Sequence, residues 1–140
     1  MATQIQIVVD AVDPLAQARF WADAVGYDVE DTTDLITKVH DAGIAGAELF
    51  HEVDGRLYWN DLVGVRDPES AGPRFLFQRN SEPKSDKNRM HVDLTVGPDQ
   101  RDAEVARLRD LGAEVLYEID EPGGHHVTMA DPEGNEFCVQ

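Results

Sequence analysis

The segment IQIVVDAVDPLAQARFWADAVG, residues 5–26, decides the fold, because its pattern recurs in MHVDLTVGPDQRDAEVARLRDLG, residues 90–112. Each segment opens with alternating residues, which is typical of a β-strand with one polar face. A helical pattern follows, and it ends at Gly26 in the first segment and at Gly112 in the second. Asp13, followed by a proline, is a favourable start for the first helix. The sequence therefore predicts a duplicated strand–helix unit.

The tripeptide DPE is a further landmark of the repeat, since it occurs at residues 67–69 and again at 131–133. Asp before Pro suits a type I turn. Each copy is followed by a last strand that ends in Gln, FLFQ at 75–78 and FCVQ at 137–140. Three landmarks in the same order favour duplication over chance similarity.

The boundary between the two copies is predicted in SEPKSDKNR, residues 81–89, which is charged and contains no apolar residue. We expect one domain over residues 1–140, with a first module at about 4–80 and a second at about 88–140. Each module is predicted as βαβββ, and the first has a short extra helix that ends near Gly43. The further strands are placed at 27–30, in RLYWNDLVGV at 56–65 and at 73–78, and in the second module at 113–119, 125–130 and 135–140.

The chain is acidic, with 28 Asp and Glu against 12 Lys and Arg and a formal charge of −16. Such a field repels phosphate backbones and anionic membrane surfaces, so neither nucleic acid nor a membrane is expected as a partner. The sequence has no secretion signal and no apolar run near the roughly 20 residues that span a bilayer, so we expect a cytoplasmic protein. A single cysteine, Cys138, excludes an internal disulfide.

Four stretches carry a resemblance to known proteins: VVDAVDPLAQARFWADAVGY, FQRNSEPKSDKNRMHVDL, ARLRDLGAEVL and DPEGNEFCV. Over nearly its full length the chain resembles the vicinal oxygen chelate superfamily, which includes glyoxalases, ring-cleaving dioxygenases, epimerases and bleomycin or fosfomycin resistance proteins. It looks like an actinobacterial-type glyoxalase-like subgroup. The resemblance implies an α+β fold of two tandem βαβββ modules, a curved mixed sheet around one cavity, a small-molecule ligand and a homodimer.

The resemblance also implies four metal-ligand positions, which in this chain are Gln6, Leu76, His91 and Cys138. Only His91 is a usual ligand of the family's set, because Leu76 cannot coordinate and Gln6 is a weak neutral donor. Cys138 could bind a soft metal as thiolate, but these donors are too few for a closed zinc site. We therefore expect no metal and no other cofactor.

Residues two apart on a strand share a face, so alternation from these positions predicts which side chains line the cavity. The residues predicted to face the cavity are Gln6, Val8, Asp10, Arg74, Leu76, Gln78, His91, Asp93, Thr95, Glu136, Cys138 and Gln140, most of which are polar. The opposite face is expected to pack beneath the helices, with Ile5, Ile7, Val9, Phe75, Phe77, Met90, Val92, Leu94, Phe137 and Val139. A polar concave face is what a binding cavity needs. The insertion between Asp31 and Gly55 is expected to cap one end of it.

His91 and Asp93 are the candidate catalytic pair, as general base and orienting acid. The alternative is that the two only satisfy one another in the interior. The candidate substrate-binding residues are Gln6, Asp10, Tyr58, Trp59, Gln78 and Cys138, among which Tyr58 or Trp59 could equally pack in the core and Cys138 could be a buried apolar residue.

Two other groups admit two interpretations each. Lys84, Lys87 and Arg89 either attract an anionic ligand or form ion pairs, and His125 with His126 is either a lid contact or an exposed turn. For the whole chain we expect a metal-independent lyase, isomerase or cyclase. The alternative is a protein that sequesters a ligand without chemistry, as in the resistance branch of the family.

Overall fold

The computed structural model describes residues 2–140, which form an α+β structure with three α-helices and ten strands. The chain divides into two compact units, of which the first ends at Glu82 and the second begins at Pro83. Among the described helices, none combines the length and the apolar character needed to cross a membrane. That the two units make one domain stays a prediction.

The first unit contains a βαβββ motif with an insertion. Its elements are β1 (Gln6–Ala11), α1 (Pro14–Val25), β2 (Asp28–Val29), α2 (Thr33–Asp41), a 3₁₀ helix (Ala47–Leu49), β3 (Phe50–Val53), β4 (Arg56–Trp59), β5 (Leu62–Arg66) and β6 (Arg74–Arg79). Four strands form a sheet in the order β1, β6, β5, β2, in which β1 is parallel to β6. Strands β3 and β4 pair as a separate hairpin inside the insertion.

The second unit repeats the motif without the insertion. Its elements are β7 (Asp93–Leu94), α3 (Pro98–Asp110), β8 (Glu114–Glu121), β9 (Gly124–Ala130) and β10 (Glu136–Val139). They form a sheet in the order β7, β10, β9, β8, in which β7 is parallel to β10. In both units the first strand therefore pairs with the last strand of the motif, and the duplicated α+β fold class predicted from the sequence is confirmed.

Helix α1 forms the core of the first unit with β6. The Asp13 side chain accepts a hydrogen bond from the backbone N–H of Ala16 at 3.1 Å, which satisfies one orphan donor of the first turn. The helix ends at Gly26 with φ +73°, a left-handed conformation that glycine adopts without steric cost. On the buried face, Trp21 stacks on Phe75 with ring centroids 5.8 Å apart. The start and the end of the helix are thus where the sequence pattern predicts them.

The two DPE tripeptides fold in the same way. Asp67 accepts hydrogen bonds from the backbone N–H groups of Glu69, Ala71 and Gly72, which hold the pKa of its carboxyl below the ordinary range. Asp131 accepts from the backbone N–H groups of Glu133 and Asn135 at 3.0 and 2.9 Å. In each copy the aspartate side chain closes the loop that precedes the last strand.

The single strand predicted in RLYWNDLVGV is wrong, because β4 ends at Trp59 and β5 begins at Leu62. Asn60 interrupts the pattern, since its side-chain amide donates to the Glu48 carbonyl at 2.7 Å and its oxygen lies 2.8 Å from His51 Nδ1. These bonds tie the chain to the β3 hairpin before it returns to the main sheet. The strand predicted in MHVDLTV is likewise shorter, with only Asp93–Leu94 in the ladder.

Some predicted faces also need correction. Ile5 and Met90 are 74% and 89% exposed instead of packing beneath helices, because each precedes the first paired residue of its strand. The hydrophobic periodicity predicts that Ala103, Val105, Ala106 and Leu108 share the buried face of the second helix, but in α3 only Arg101 and Leu108 are buried, and Ala103 and Ala106 are exposed.

The predicted exposure of the His125–His126 turn is also wrong. Both residues lie half-buried on β9. The ring of His125 is held between the guanidinium of Arg101, with Nη2 to Nδ1 2.7 Å, and the carboxylate of Glu118, 2.5 Å from Nε2. His125 is thus held by contacts within the second unit.

Candidate functional site

The start of β7 and the middle of β10 bring His91, Asp93 and Cys138 together in the second unit. Asp93 and Cys138 are register partners on these parallel strands, and His91 precedes Asp93 by two residues. His91 Nδ1 lies 2.9 Å from Asp93 Oδ1. One donor-type atom from each residue, nitrogen, carboxylate oxygen and sulfur, lies within 4.8 Å of the others. The predicted catalytic pair is thus in direct contact, with a thiol beside it.

Exposure differs within this cluster. The side chains of His91 and Asp93 are each 43% exposed, whereas Cys138 is buried. The Cys138 sulfur lies 3.5 Å from the hydroxyl of Thr128, a buried residue on β9. The imidazole and carboxylate can therefore reach a substrate from solution, while the thiol forms part of the wall.

The hydrogen bond between His91 and Asp93 determines what the imidazole can do. A carboxylate accepts the Nδ1 proton, so the assigned neutral tautomer leaves the Nε2 lone pair available. An imidazole held in this way can act as a general base through Nε2. The carboxylate fixes the orientation of the ring, which is the role predicted for Asp93.

The loop before β7 folds onto Glu136, the first residue of β10. The Glu136 carboxylate accepts from the backbone N–H of Asn88 at 2.5 Å and lies 3.6 Å from Lys84 Nζ and 3.9 Å from Lys87 Nζ. The Asn88 N–H, followed by the two lysines, holds the pKa of Glu136 below its ordinary value. The two lysines thus form ion pairs, which is one of the two interpretations of the basic cluster.

In the first unit, the position that corresponds to His91 in the repeat is Gln6, and its surroundings are cationic. Gln6 Oε1 accepts from Arg74 Nη1 at 2.7 Å, and Arg74 also binds Glu30 through Nε and Nη2 at 2.7 and 2.6 Å. Arg66 Nε adds a bond to Glu30 at 3.1 Å. The Arg74 hydrogen bonds lower the pKa of Glu30, and Glu30 raises that of Arg74. Leu76, in register with Val8, adds no polar atom.

The other predicted substrate-binding residues of the first unit separate into two places. Asp10 and Gln78 are register partners on β1 and β6, and Asp10 accepts from Asn80 Nδ2 at 3.1 Å. Tyr58 is buried and lines a cavity within the first unit. Trp59 is half-buried and packs edge to face on Phe50, with centroids 6.3 Å apart. Tyr58 and Trp59 therefore have different surroundings.

Sequence reasoning missed two partners. Glu30, which binds Arg74 with both carboxylate oxygens, lies 44 residues away from it in the chain, and no local pattern indicates the pairing. The alternation along the strand indicates only that Asp93 lies beside His91, whereas the parallel pairing of the first and last strands also sets Asp93 beside Cys138. The repeat carried that signal, because it equates the two strand pairs.

A divalent ion of the family's four-position kind does not fit these residues. In the first unit, the Gln6 oxygen is the acceptor of a guanidinium, and Leu76 offers no donor atom. A second cation placed at Gln6 would be repelled by Arg74. The second unit offers three donor types at His91, Asp93 and Cys138. Within residues 2–140, the cluster whose donor atoms could hold a metal ion is therefore the one in the second unit.

The family described as a glyoxalase-like domain matches residues 6–140 of the chain. A variant of the fosfomycin resistance protein FosX from Listeria monocytogenes, in complex with Mn(II) and a dihydroxypropylphosphonic acid, superposes with a TM-score of 0.64 at 11% identity, covering 100% of this chain and 90% of that one. An enzyme of the glyoxalase/bleomycin resistance protein/dioxygenase family from Burkholderia phytofirmans PsJN superposes with a TM-score of 0.63 at 12% identity. The match covers 96% of this chain and 94% of that one.

Lactoylglutathione lyase from Agrobacterium tumefaciens is also similar, with a TM-score of 0.58 at 15% identity, covering 99% of this chain and 93% of that one. Among proteins with curated descriptions, none matches the sequence at a significant level. At these identities the structural likeness establishes the fold and leaves the chemistry to the residues themselves.

Proposed function

Since this chain belongs to the glyoxalase-like domain family, within the vicinal oxygen chelate superfamily, we propose that it is a metal-independent lyase, isomerase or cyclase that transfers a proton on a small polar substrate. The observation that carries the proposal is the 2.9 Å contact between His91 Nδ1 and Asp93 Oδ1 on an accessible strand edge. The actinobacterial-type subgroup, the homodimer and the cytoplasmic location stay predictions from the sequence.

His91 Nε2 accepts a proton from a carbon or hydroxyl of the substrate, while Asp93 keeps the Nδ1 proton in place and stabilises the transient positive charge. The same Nε2 then returns the proton. Return to a different substrate atom gives an isomerisation, and transfer to a leaving group gives a lyase reaction. Positioned proton transfer of this kind contributes typically 10²–10⁴-fold in rate. Substrate binding by Gln6, Asp10 and Gln78 of the first unit stays a prediction from the sequence.

A second candidate rests on the same three residues. Catalytic zinc sites use three protein ligands drawn from His, Cys and carboxylates, and leave a position open. His91, Asp93 and Cys138 would hold such an ion, which would supply Lewis-acid polarisation of a substrate oxygen. The accessible side of the cluster favours this candidate, because a catalytic ion needs substrate access.

Deuterium exchange tests the first candidate without knowledge of the natural substrate. A general base exchanges the acidic C–H protons of bound carbonyl compounds in D₂O, so a panel of hydroxyketones and ketoacids is followed by proton NMR. We expect His91→Ala to lower exchange about 100-fold or more and Asp93→Asn to lower it less. His126→Ala, a half-buried histidine of the same unit, is the matched control and should retain activity.

Three outcomes decide between the candidates. Unchanged exchange in His91→Ala would refute the role of the dyad. Near-stoichiometric zinc, nickel, manganese or iron in protein purified without chelator, lost in Cys138→Ser, would replace the first candidate with the second. Saturable ligand binding without exchange or product for any compound would establish the sequestering protein instead.

A further inference from the structure

The first unit contains a cavity of about 730 Å³ that shares no residue with the His91 cluster or with the Arg74 network. It lies among α1, β2 and β4, and the insertion contributes Asp31 and Asp54 to its wall. Ligand pockets typically measure about 300–1,000 Å³. The space is therefore sufficient for a small organic molecule.

The lining of this cavity has an excess of negative charge. Four aspartates face two arginines, a surplus of two negative charges. Both arginines are paired with aspartates, Arg19 with Asp54 at 2.9 Å and Arg56 with Asp31 at 3.5 Å. Asp28 has no ion pair and no side-chain hydrogen bond with any residue in the range 2–140. A carboxylate at the cavity is thus available to a cation.

Tyr58 supplies an independent indication of a ligand. The residue is only 4% exposed, lines the cavity, and its hydroxyl has no hydrogen-bond partner among the described residues. Because no described residue bonds this hydroxyl, it is available as a hydrogen-bonding group to a molecule that enters the cavity. Its ring, together with Ala22 and Val29, offers an apolar wall to the same space.

Side-chain hydrogen bonds fix the wall around Tyr58. The Thr32 hydroxyl donates to the Leu57 carbonyl at 2.7 Å, and the Leu57 N–H donates to the Thr33 hydroxyl at 3.0 Å. Asp31 accepts from the Thr33 N–H at 3.0 Å. The strand that carries Tyr58 and the residue that pairs with Arg56 are therefore tied together in advance, which lowers the entropic cost of binding.

We propose that this cavity is a binding site for a small organic amine that is protonated at neutral pH. Its ammonium group lies at Asp28, a donor or acceptor group meets the Tyr58 hydroxyl, and its hydrocarbon body contacts the tyrosine ring. The insertion thereby has a use in the first unit that does not depend on the proton-transfer site. An anionic or neutral molecule of the same shape lacks the attraction of the acidic lining.

An NMR titration of the ¹⁵N-labelled full chain tests the proposal with benzylamine, and benzyl alcohol and benzoate serve as neutral and anionic isosteres. We expect benzylamine to shift the amide signals of Asp28 and Tyr58 saturably, with a Kd of about 1 mM for a fragment of this size. Benzyl alcohol should bind at least about tenfold more weakly, and benzoate should not bind.

Two conservative variants separate the contributions. Asp28→Asn should weaken benzylamine binding about threefold, and Tyr58→Phe, which keeps the ring, about fivefold. Asp34→Asn, another exposed aspartate of this unit, and His91→Ala should bind as the wild type does. The proposal is overturned if no saturable shift occurs at these amides, if an isostere binds as tightly, if both variants bind normally, or if His91→Ala abolishes binding.

Discussion

Arg74→Met should destabilise the first unit, and the magnitude follows from the contacts of Arg74. The substitution removes the two hydrogen bonds to Glu30 and the one to Gln6. Breaking a fully buried ion pair costs about 3–5 kcal/mol. The side chains of Arg74 and Glu30 are each 24% exposed, and Arg66 remains bonded to Glu30 in the variant. We therefore expect Arg74→Met to lower the free energy of unfolding by about 2 kcal/mol. The melting temperature of the first unit should fall by about 8–16 °C, because 1 kcal/mol corresponds to about 4–8 °C in a domain of this size.

The stability that Arg74→Met removes should depend on pH, and the direction of that dependence follows from the pKa of Glu30. Arg74 holds the folded-state pKa of Glu30 below its ordinary value of 4.5. The stabilisation is therefore fully present above that value and disappears as the pH falls through the lower folded pKa. The difference in unfolding free energy between wild type and Arg74→Met should be constant from neutral pH down to about pH 5 and then shrink.

Urea unfolding followed by tryptophan fluorescence measures this difference, because both tryptophans, Trp21 and Trp59, lie in the first unit. Arg66→Met is the control, since Arg66 is 56% exposed and makes a single bond, and it should cost no more than about 0.5 kcal/mol. Equal stability of Arg74→Met and wild type at pH 7, or a difference that stays constant on acidification, would refute the account of this network.

Three further predictions concern loops and caps. Asp131→Ala should lower the free energy of unfolding, measured by calorimetry, by about 2 kcal/mol. The loss should be larger than for Asp67→Ala because Asp131 is buried, and the opposite order would contradict this account. The protection factor of the Asn88 amide, which is its exchange rate relative to the intrinsic rate at the same pH, should decrease as the pH falls through the lowered pKa of Glu136, and Glu136→Gln should remove that dependence. Gly26→Ala should lower the free energy of unfolding in urea by about 1 kcal/mol. The whole loss comes from the positive φ, because a Cβ at this position would meet no atom within 4 Å.

The repeat and the hydrophobic periodicity predicted α1, the last strand of each unit and both DPE loops, because these elements depend on local patterns. The break at Asn60 was not predictable in the same way, since it depends on hydrogen bonds from one side chain to Glu48 and His51. For the site, alternation predicted that His91 and Asp93 share a face. The partner of Arg74 lies 44 residues away in sequence, and periodicity contains no information on such a pair.

The last strands of the two units explain why their shared topology accommodates different chemistry. The alternate residues Phe75 and Phe77 in β6, and Phe137 and Val139 in β10, are all buried, so packing restricts these positions to apolar side chains.

The intervening positions differ in chemistry between the units: Arg74 and Leu76 in the first correspond to Glu136 and Cys138 in the second, and all of them except the buried Cys138 are half-buried. These positions can change charge and donor type while the buried residues keep the sheet in place. The first unit has accordingly acquired a guanidinium where the second has a carboxylate, without a change in strand order. For this reason the proton-transfer proposal rests on His91 and Asp93 and on no property of the fold.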